Sequence, residues 1–153
     1  MDEGSALPDI ALTTPDGAPL TLRSFVGHPF VLYFYPKADT AGCTREAQDF
    51  GRLLPEFQAL GAAVLGVSKD PPVKLGKFAA KYALTVSLAS DEDGRATAAF
   101  GSWVEKQLYG RRYMGVDRST FLFDAAGSLA RAWRKVRVPG HADAVLAAVR
   151  ALG

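Results

Sequence analysis

Phe30 to Tyr35 is an unbroken run of apolar and aromatic residues, stopped by Pro36. Such a run suits a central strand covered on both faces, and that buried strand is the first constraint on this chain. The period then changes. From Cys43 to Leu60, Phe50, Leu53, Leu54, Phe57 and Leu60 recur at three- and four-residue spacing, with Arg45, Asp49, Arg52 and Glu56 elsewhere on the cylinder. This predicts an amphipathic helix closed by Gly61, with Pro55 expected to kink it or divide it in two.

The remaining punctuation is regular. Asp9–Leu12 and Pro19–Leu22 flank the turn signal Thr14-Pro15-Asp16-Gly17, which predicts an N-terminal hairpin. Ala62–Val67 reads as a second buried strand, Val73–Tyr82 as a second amphipathic helix, Thr85–Leu88 as a short strand and Arg95–Phe100 as a helical turn. Ser119–Phe123 and Leu129–Val136 flank Asp124-Ala125-Ala126-Gly127, another hairpin signature, and Ala142–Leu152 is a closing helix. Alternating strands and helices followed by a hairpin and a helix imply an α/β fold, a central mixed β-sheet flanked by helices. A length of 153 residues fits one domain over residues 1–153.

Composition limits the function classes. Lys plus Arg number 18 and Asp plus Glu 16, a net charge of +2 that gives no argument for nucleic acid. The apolar run is far too short for a membrane span. One cysteine and two separated histidines exclude an internal disulfide, a CxxC pair and a Cys/His zinc cluster, so neither metal nor cofactor is expected. The acidic start Met1-Asp2-Glu3-Gly4 lacks the basic region of a secretory signal, and a reducing, cytoplasmic setting is the expectation.

The lone cysteine carries the chemistry. In isolation such a residue is most simply a small buried hydrophobe. Here Cys43 follows a strand and loop and falls in the first turn of a helix, where unpaired N–H groups and the helix dipole favour a thiolate. It lies seven residues before Phe50, on the same inward face. A thiolate so placed is a nucleophile.

In the loop Tyr35-Pro36-Lys37-Ala38-Asp39-Thr40-Ala41-Gly42-Cys43, Pro36, Thr40 and Cys43 match the P-x-x-x-T-x-x-C motif of peroxiredoxins. Val64–Ser68, Leu88–Asp93, Phe100–Lys106 and Arg118–Asp124 extend the likeness, and from about Leu7 onward the chain resembles the bacterioferritin comigratory protein, or PrxQ, branch. The resemblance implies a thioredoxin-like fold and thiol-dependent reduction of hydrogen peroxide and organic hydroperoxides. It implies that Cys43 attacks a peroxide oxygen and becomes a sulfenic acid. Thr40 would accept from the substrate and donate toward the sulfur, and the Gly42-Cys43 backbone would stabilise the leaving oxygen. Pro36 would shield the sulfur from water, and Arg118 would hold the thiolate and polarise the peroxide. Thr40 is equally a helix cap, while Glu46 either pairs with Arg118 or faces solvent.

One departure matters. Many members of this branch carry a second cysteine five residues after the first, where this chain has Gln48. The resolving thiol must then come from outside, from thioredoxin, glutaredoxin or a low-molecular-weight thiol. Ala41 also replaces a proline common before the glycine. The branch suggests a monomer or weak dimer. A peroxide sensor or redox relay is the competing reading, and a binding module with an inert thiol is a third. His28 and His141 read as surface or capping residues, and Arg131–Arg137 around Trp133 as a solvated strand face.

Overall fold

The computed structural model describes residues 1–152. Its main sheet has seven strands, β1 (Ala11–Thr13), β2 (Pro19–Thr21), β3 (Phe30–Phe34), β4 (Ala63–Ser68), β5 (Ser87–Ser90), β8 (Ser119–Phe123) and β9 (Leu129–Trp133), in the order β2-β1-β5-β4-β3-β8-β9. A separate two-stranded ribbon pairs β6 (Trp103–Leu108) with β7 (Arg111–Val116). The helices are α1 (Ala41–Ala59), α2 (Pro72–Lys81), α3 (Arg95–Ala99) and α4 (His141–Ala151). β3 runs parallel to β4 and antiparallel to β8. This is the expected thioredoxin-like mixed sheet with its N-terminal hairpin β1–β2.

Every residue of β3 is buried, as its unbroken apolar run requires. Val31, Tyr33 and Tyr35 point into one core with Cys43, Phe50 and Phe57 of α1 and Val145 of α4. Phe30, Leu32 and Phe34 point into the opposite core, with Leu12, Phe100, Phe121 and Phe123. The Tyr33 ring stacks on Phe50 at 4.6 Å and extends across β4, where a Cβ on Gly66 would lie 2.4 Å from its Cζ. No side chain larger than hydrogen fits at position 66 without moving that ring.

The structure departs from the sequence reading at five points. Pro55 does not divide α1, which runs unbroken from Ala41 to Ala59. Its missing N–H frees the Gly51 carbonyl, and the Thr85 hydroxyl donates to that oxygen at 3.4 Å. The strand expected at Thr85–Leu88 lies at Ser87–Ser90, because the parallel ladder with β4 pairs Leu65 with Ser87 and Ser68 with Ser90. The β6–β7 ribbon was not anticipated. Its reversal at Tyr109-Gly110 has positive φ at both residues, 51° and 77°, the geometry of a type I′ turn. A bulky residue before glycine hid that turn.

The fourth concerns His141, which is buried between Phe50 and Trp133. Its Nε2 and the Thr120 hydroxyl of β8 share a 2.7 Å hydrogen bond. Nor is the Arg131–Arg137 stretch merely solvated, since Arg134 donates to the Phe100 carbonyl at 3.0 Å and lies over the Phe121 ring. Among the described residues, no helix is long and apolar enough to cross a membrane.

Candidate active site

The antiparallel pairing of β3 with β8 sets Phe34 opposite Ser119. The end of β3, and the loop that leaves it, therefore lie beside the residue that enters β8, Arg118. The loop from Pro36 to Thr40 is held at several points. The Ala38 N–H donates to Asp70 Oδ2 at 2.7 Å, and the Ser68 hydroxyl donates to the same oxygen at 2.8 Å. Asp39 takes a positive φ of 63°, which aspartate tolerates, and accepts from Lys81 Nζ at 3.0 Å and the Tyr82 hydroxyl at 2.5 Å. The loop is thus tied to the C-terminal end of α2.

Thr40 stands at the N-cap position of α1 in an extended conformation, but its side chain caps nothing. Its hydroxyl donates instead to the Lys37 carbonyl at 2.8 Å. That donation replaces the one toward sulfur expected from the sequence and leaves the oxygen's lone pairs to accept. The Thr40 carbonyl takes both the Thr44 N–H at 2.9 Å and the Thr44 hydroxyl at 2.8 Å. Among the described residues, the N–H groups of Gly42 and Cys43 have no acceptor. They are two of the orphan donors at a helix start that attract negative charge.

Cys43, the third residue of α1, is 1% exposed and belongs to the core with Tyr33, Tyr35 and Ala47. Arg118 Nη2 donates to its sulfur at 3.3 Å, while Nη1 donates to Glu46 Oε1 at 2.6 Å. The planar guanidinium thereby spans a sulfur and a carboxylate with two separate N–H groups, which an ammonium cannot do in one fixed geometry. Glu46 is buried, and burial pushes its carboxyl up to about 7 against the opposing pull of Arg118. Its Oε2 and the hydroxyls of Tyr33 and Tyr35 are buried without a partner among the described residues. Burial likewise raises both tyrosines above their ordinary range.

The structure brings Cys43, Gly42 and Arg118 together, with Thr40 at the start of the same helix and Pro36 half-buried just beyond β3. Glu46 is the residue that sequence reasoning left open. Its signal was its position three residues after Cys43, on the same face of the helix. Gln48 lies on the exposed side of α1.

A cysteine held this way on a thioredoxin-like sheet, under an arginine and behind a P-x-x-x-T-x-x-C loop, marks the peroxiredoxins, the thiol-dependent hydroperoxide reductases. The AhpC/TSA family model matches residues 4–132, and the chain belongs to that family, within its Bcp/PrxQ branch. Peroxiredoxin Bcp of Xanthomonas campestris pv. campestris is 48% identical over 143 residues, 94% of this chain and 89% of that protein. Peroxiredoxin Bcp of Bacillus subtilis is 42% identical over 141 residues, 92% and 90% of the two chains.

Among solved structures, a cysteine-to-serine variant of Xylella fastidiosa PrxQ superposes with a TM-score of 0.94 at 38% identity, covering 99% of this chain and 97% of that one. A cysteine-to-serine variant of Xanthomonas campestris peroxiredoxin Q gives 0.93 at 46% identity, covering all of both chains. A second variant of the latter protein replaces a different cysteine, so that relative has two where this chain has Cys43 alone. Another Xanthomonas campestris structure, TM-score 0.92 at 46% identity over 99% of each chain, concerns alkyl peroxide reduction by the bacterioferritin comigratory protein.

Proposed function

We propose that this peroxiredoxin reduces hydrogen peroxide and organic hydroperoxides through a one-cysteine cycle. The single observation that carries the reading is the Arg118 N–H on the sulfur of Cys43, 3.3 Å away, in a chain with no second cysteine. The guanidinium N–H fixes the sulfur in place for attack. The thiolate attacks one peroxide oxygen in line, an S–O bond forms, the O–O bond breaks, and the leaving oxygen departs with a proton as water or alcohol. Cys43 becomes a sulfenic acid. The Thr40 oxygen accepts from the peroxide hydroxyl and fixes the attack line, and the Gly42 and Cys43 N–H groups stabilise charge on the leaving oxygen. Pro36 covers the sulfur side of the loop.

An external thiol closes the cycle. Its sulfur attacks Cys43, the S–O bond breaks and water leaves. A second thiol then releases Cys43 and carries away the disulfide. The protein works as a monomer or weak dimer. The test is oxidation with one equivalent of peroxide followed by mass analysis of the peptide containing Cys43. Gain of one oxygen, reversed by dithiothreitol with further peroxide consumed, supports the cycle; an unmodified thiol ends it. The missing second cysteine also favours a relay, in which a partner protein receives the oxidation through a mixed disulfide. Multiple turnovers with one reductant at low concentration separate the enzyme from the relay.

A further inference from the structure

The β6–β7 ribbon forms a sheet of its own, buried at its foot by Val116 and exposed toward its tip. Tyr109 at its tip is 96% exposed, and Leu108, Tyr113 and Met114 are each about half exposed. Two strands alone are marginal in water, and exposed apolar side chains gathered on one projection mark a surface that meets another molecule. The base of the ribbon is firm. Lys69 Nζ sits 3.9 Å over the Trp103 ring, the Asp117 N–H donates to the Ser102 carbonyl at 2.7 Å, and the Ser102 and Ser119 hydroxyls are 2.7 Å apart.

Two further observations say what docks there. Val116, the last ribbon residue, is two positions before Arg118, so the foot of the ribbon leads into the residue that holds the sulfur of Cys43. The surface is also basic. Lys106, Arg111 and Arg112 outnumber Glu105 on the ribbon, and exposed Lys135 and Arg137 lie beside Arg118, whose carbonyl accepts from the Val136 N–H at 2.9 Å. A second copy meeting this face across a two-fold axis would set like charges together. An acidic partner would not.

We propose that the β6–β7 ribbon is the docking platform for a protein dithiol reductant with an acidic face, which delivers its thiol to oxidised Cys43. This rests on the external-thiol cycle proposed above. The partner's thiol forms the S–S bond to Cys43 as water leaves, and its second thiol releases Cys43 and retains the disulfide.

The experiment compares peroxide turnover by the parent chain and a Leu108→Ser/Arg111→Glu variant, using two reductants. One is a thioredoxin of net negative charge recycled by thioredoxin reductase and NADPH, and the other is dithiothreitol. The expected result is a KM for thioredoxin raised about tenfold in the variant, with dithiothreitol-supported turnover unchanged. Added salt should raise the parent's KM more than the variant's. An unmoved thioredoxin KM overturns the proposal, as does a parent chain that dithiothreitol reduces and thioredoxin does not. A parent dimer that the substitutions split, with the thioredoxin KM unmoved, assigns the ribbon to self-association instead. Failure of dithiothreitol to support the parent at all counts against the cycle, not the platform.

Discussion

Arg118 reaches the sulfur of Cys43 with one N–H, at 3.3 Å, across 75 positions of sequence. Its other guanidinium nitrogen is fixed on Glu46 at 2.6 Å, so the group that touches the thiol is itself positioned by a buried carboxylate.

Replacing Cys43 by Ser should abolish peroxide consumption. Arg118→Lys keeps the charge and loses the fork, and should lower the second-order rate of thiol oxidation about 10- to 100-fold, with Arg118→Ala lower still. Stopped-flow oxidation as a function of pH measures both. An Arg118→Ala protein with the parental rate and pH profile removes Arg118 from the site.

Thr40 gives a sharper comparison. Valine preserves the volume and loses the hydroxyl that donates to Lys37 and is free to accept, while serine retains it. Thr40→Val should raise the barrier by about 2–4 kcal/mol, and Thr40→Ser by much less. Equal values of kcat/KM for the two would show that the hydroxyl only shapes the loop.

Two buried groups give the stability opposite pH slopes. The Glu46 carboxyl, held at about 7 against an ordinary 4.5, binds its proton more readily in the folded chain. It therefore makes stability fall as pH rises from about 4.5 to 7. Burial lowers the His141 imidazole from 6.5 to about 4, so the folded chain binds that proton less readily and stability rises over about pH 4 to 6.5. The two nearly cancel in their shared window. Glu46→Gln should expose the histidine's slope, at most about 1.4 kcal/mol per pH unit for one proton. Urea unfolding between pH 4.5 and 7 tests this, and an unchanged profile would refute it.

Gln48 stands five residues after Cys43, where the resemblance to the PrxQ branch puts a resolving cysteine in many members. Five residues apart on an intact helix, two Cα atoms are about 8–9 Å apart, beyond the limit of about 7 Å for a disulfide. Without such a bond to form, the sulfenic acid of this chain should persist in an intact α1 and climb to sulfinic acid when peroxide is high and thiol absent. Gln48→Cys should form an internal disulfide, slow that climb and increase amide exchange over residues 42–50. Equal opening of the parent helix on oxidation would show that unwinding is intrinsic to the fold.

Much of this site was legible before any coordinates. The apolar run from Phe30 suits a buried strand, found at Phe30–Phe34, and the spacing of Phe50, Leu53 and Phe57 fixes which face of α1 turns inward, carrying Cys43 with it. Those are local signals, and tertiary packing had only to agree with them. Where packing had a choice, the reading went astray. The continuity of α1 past Pro55 coincides with a Thr85 hydroxyl that donates to the freed Gly51 carbonyl across 34 positions of sequence, and the bounds of β5 depend on its register with β4.

By itself the sequence determined the order of the main-sheet strands and the helices, the nucleophile and its place at a helix start, because periodicity and turn chemistry act between near neighbours. The tertiary structure alone decided that Glu46 pairs with Arg118, that His141 is buried against Thr120 and that a separate two-stranded ribbon leads into Arg118. The physical reason is the antiparallel pairing of β3 with β8. It joins the two ends of the site by backbone hydrogen bonds between segments far apart in the chain, and no local spacing encodes which strand will be the partner.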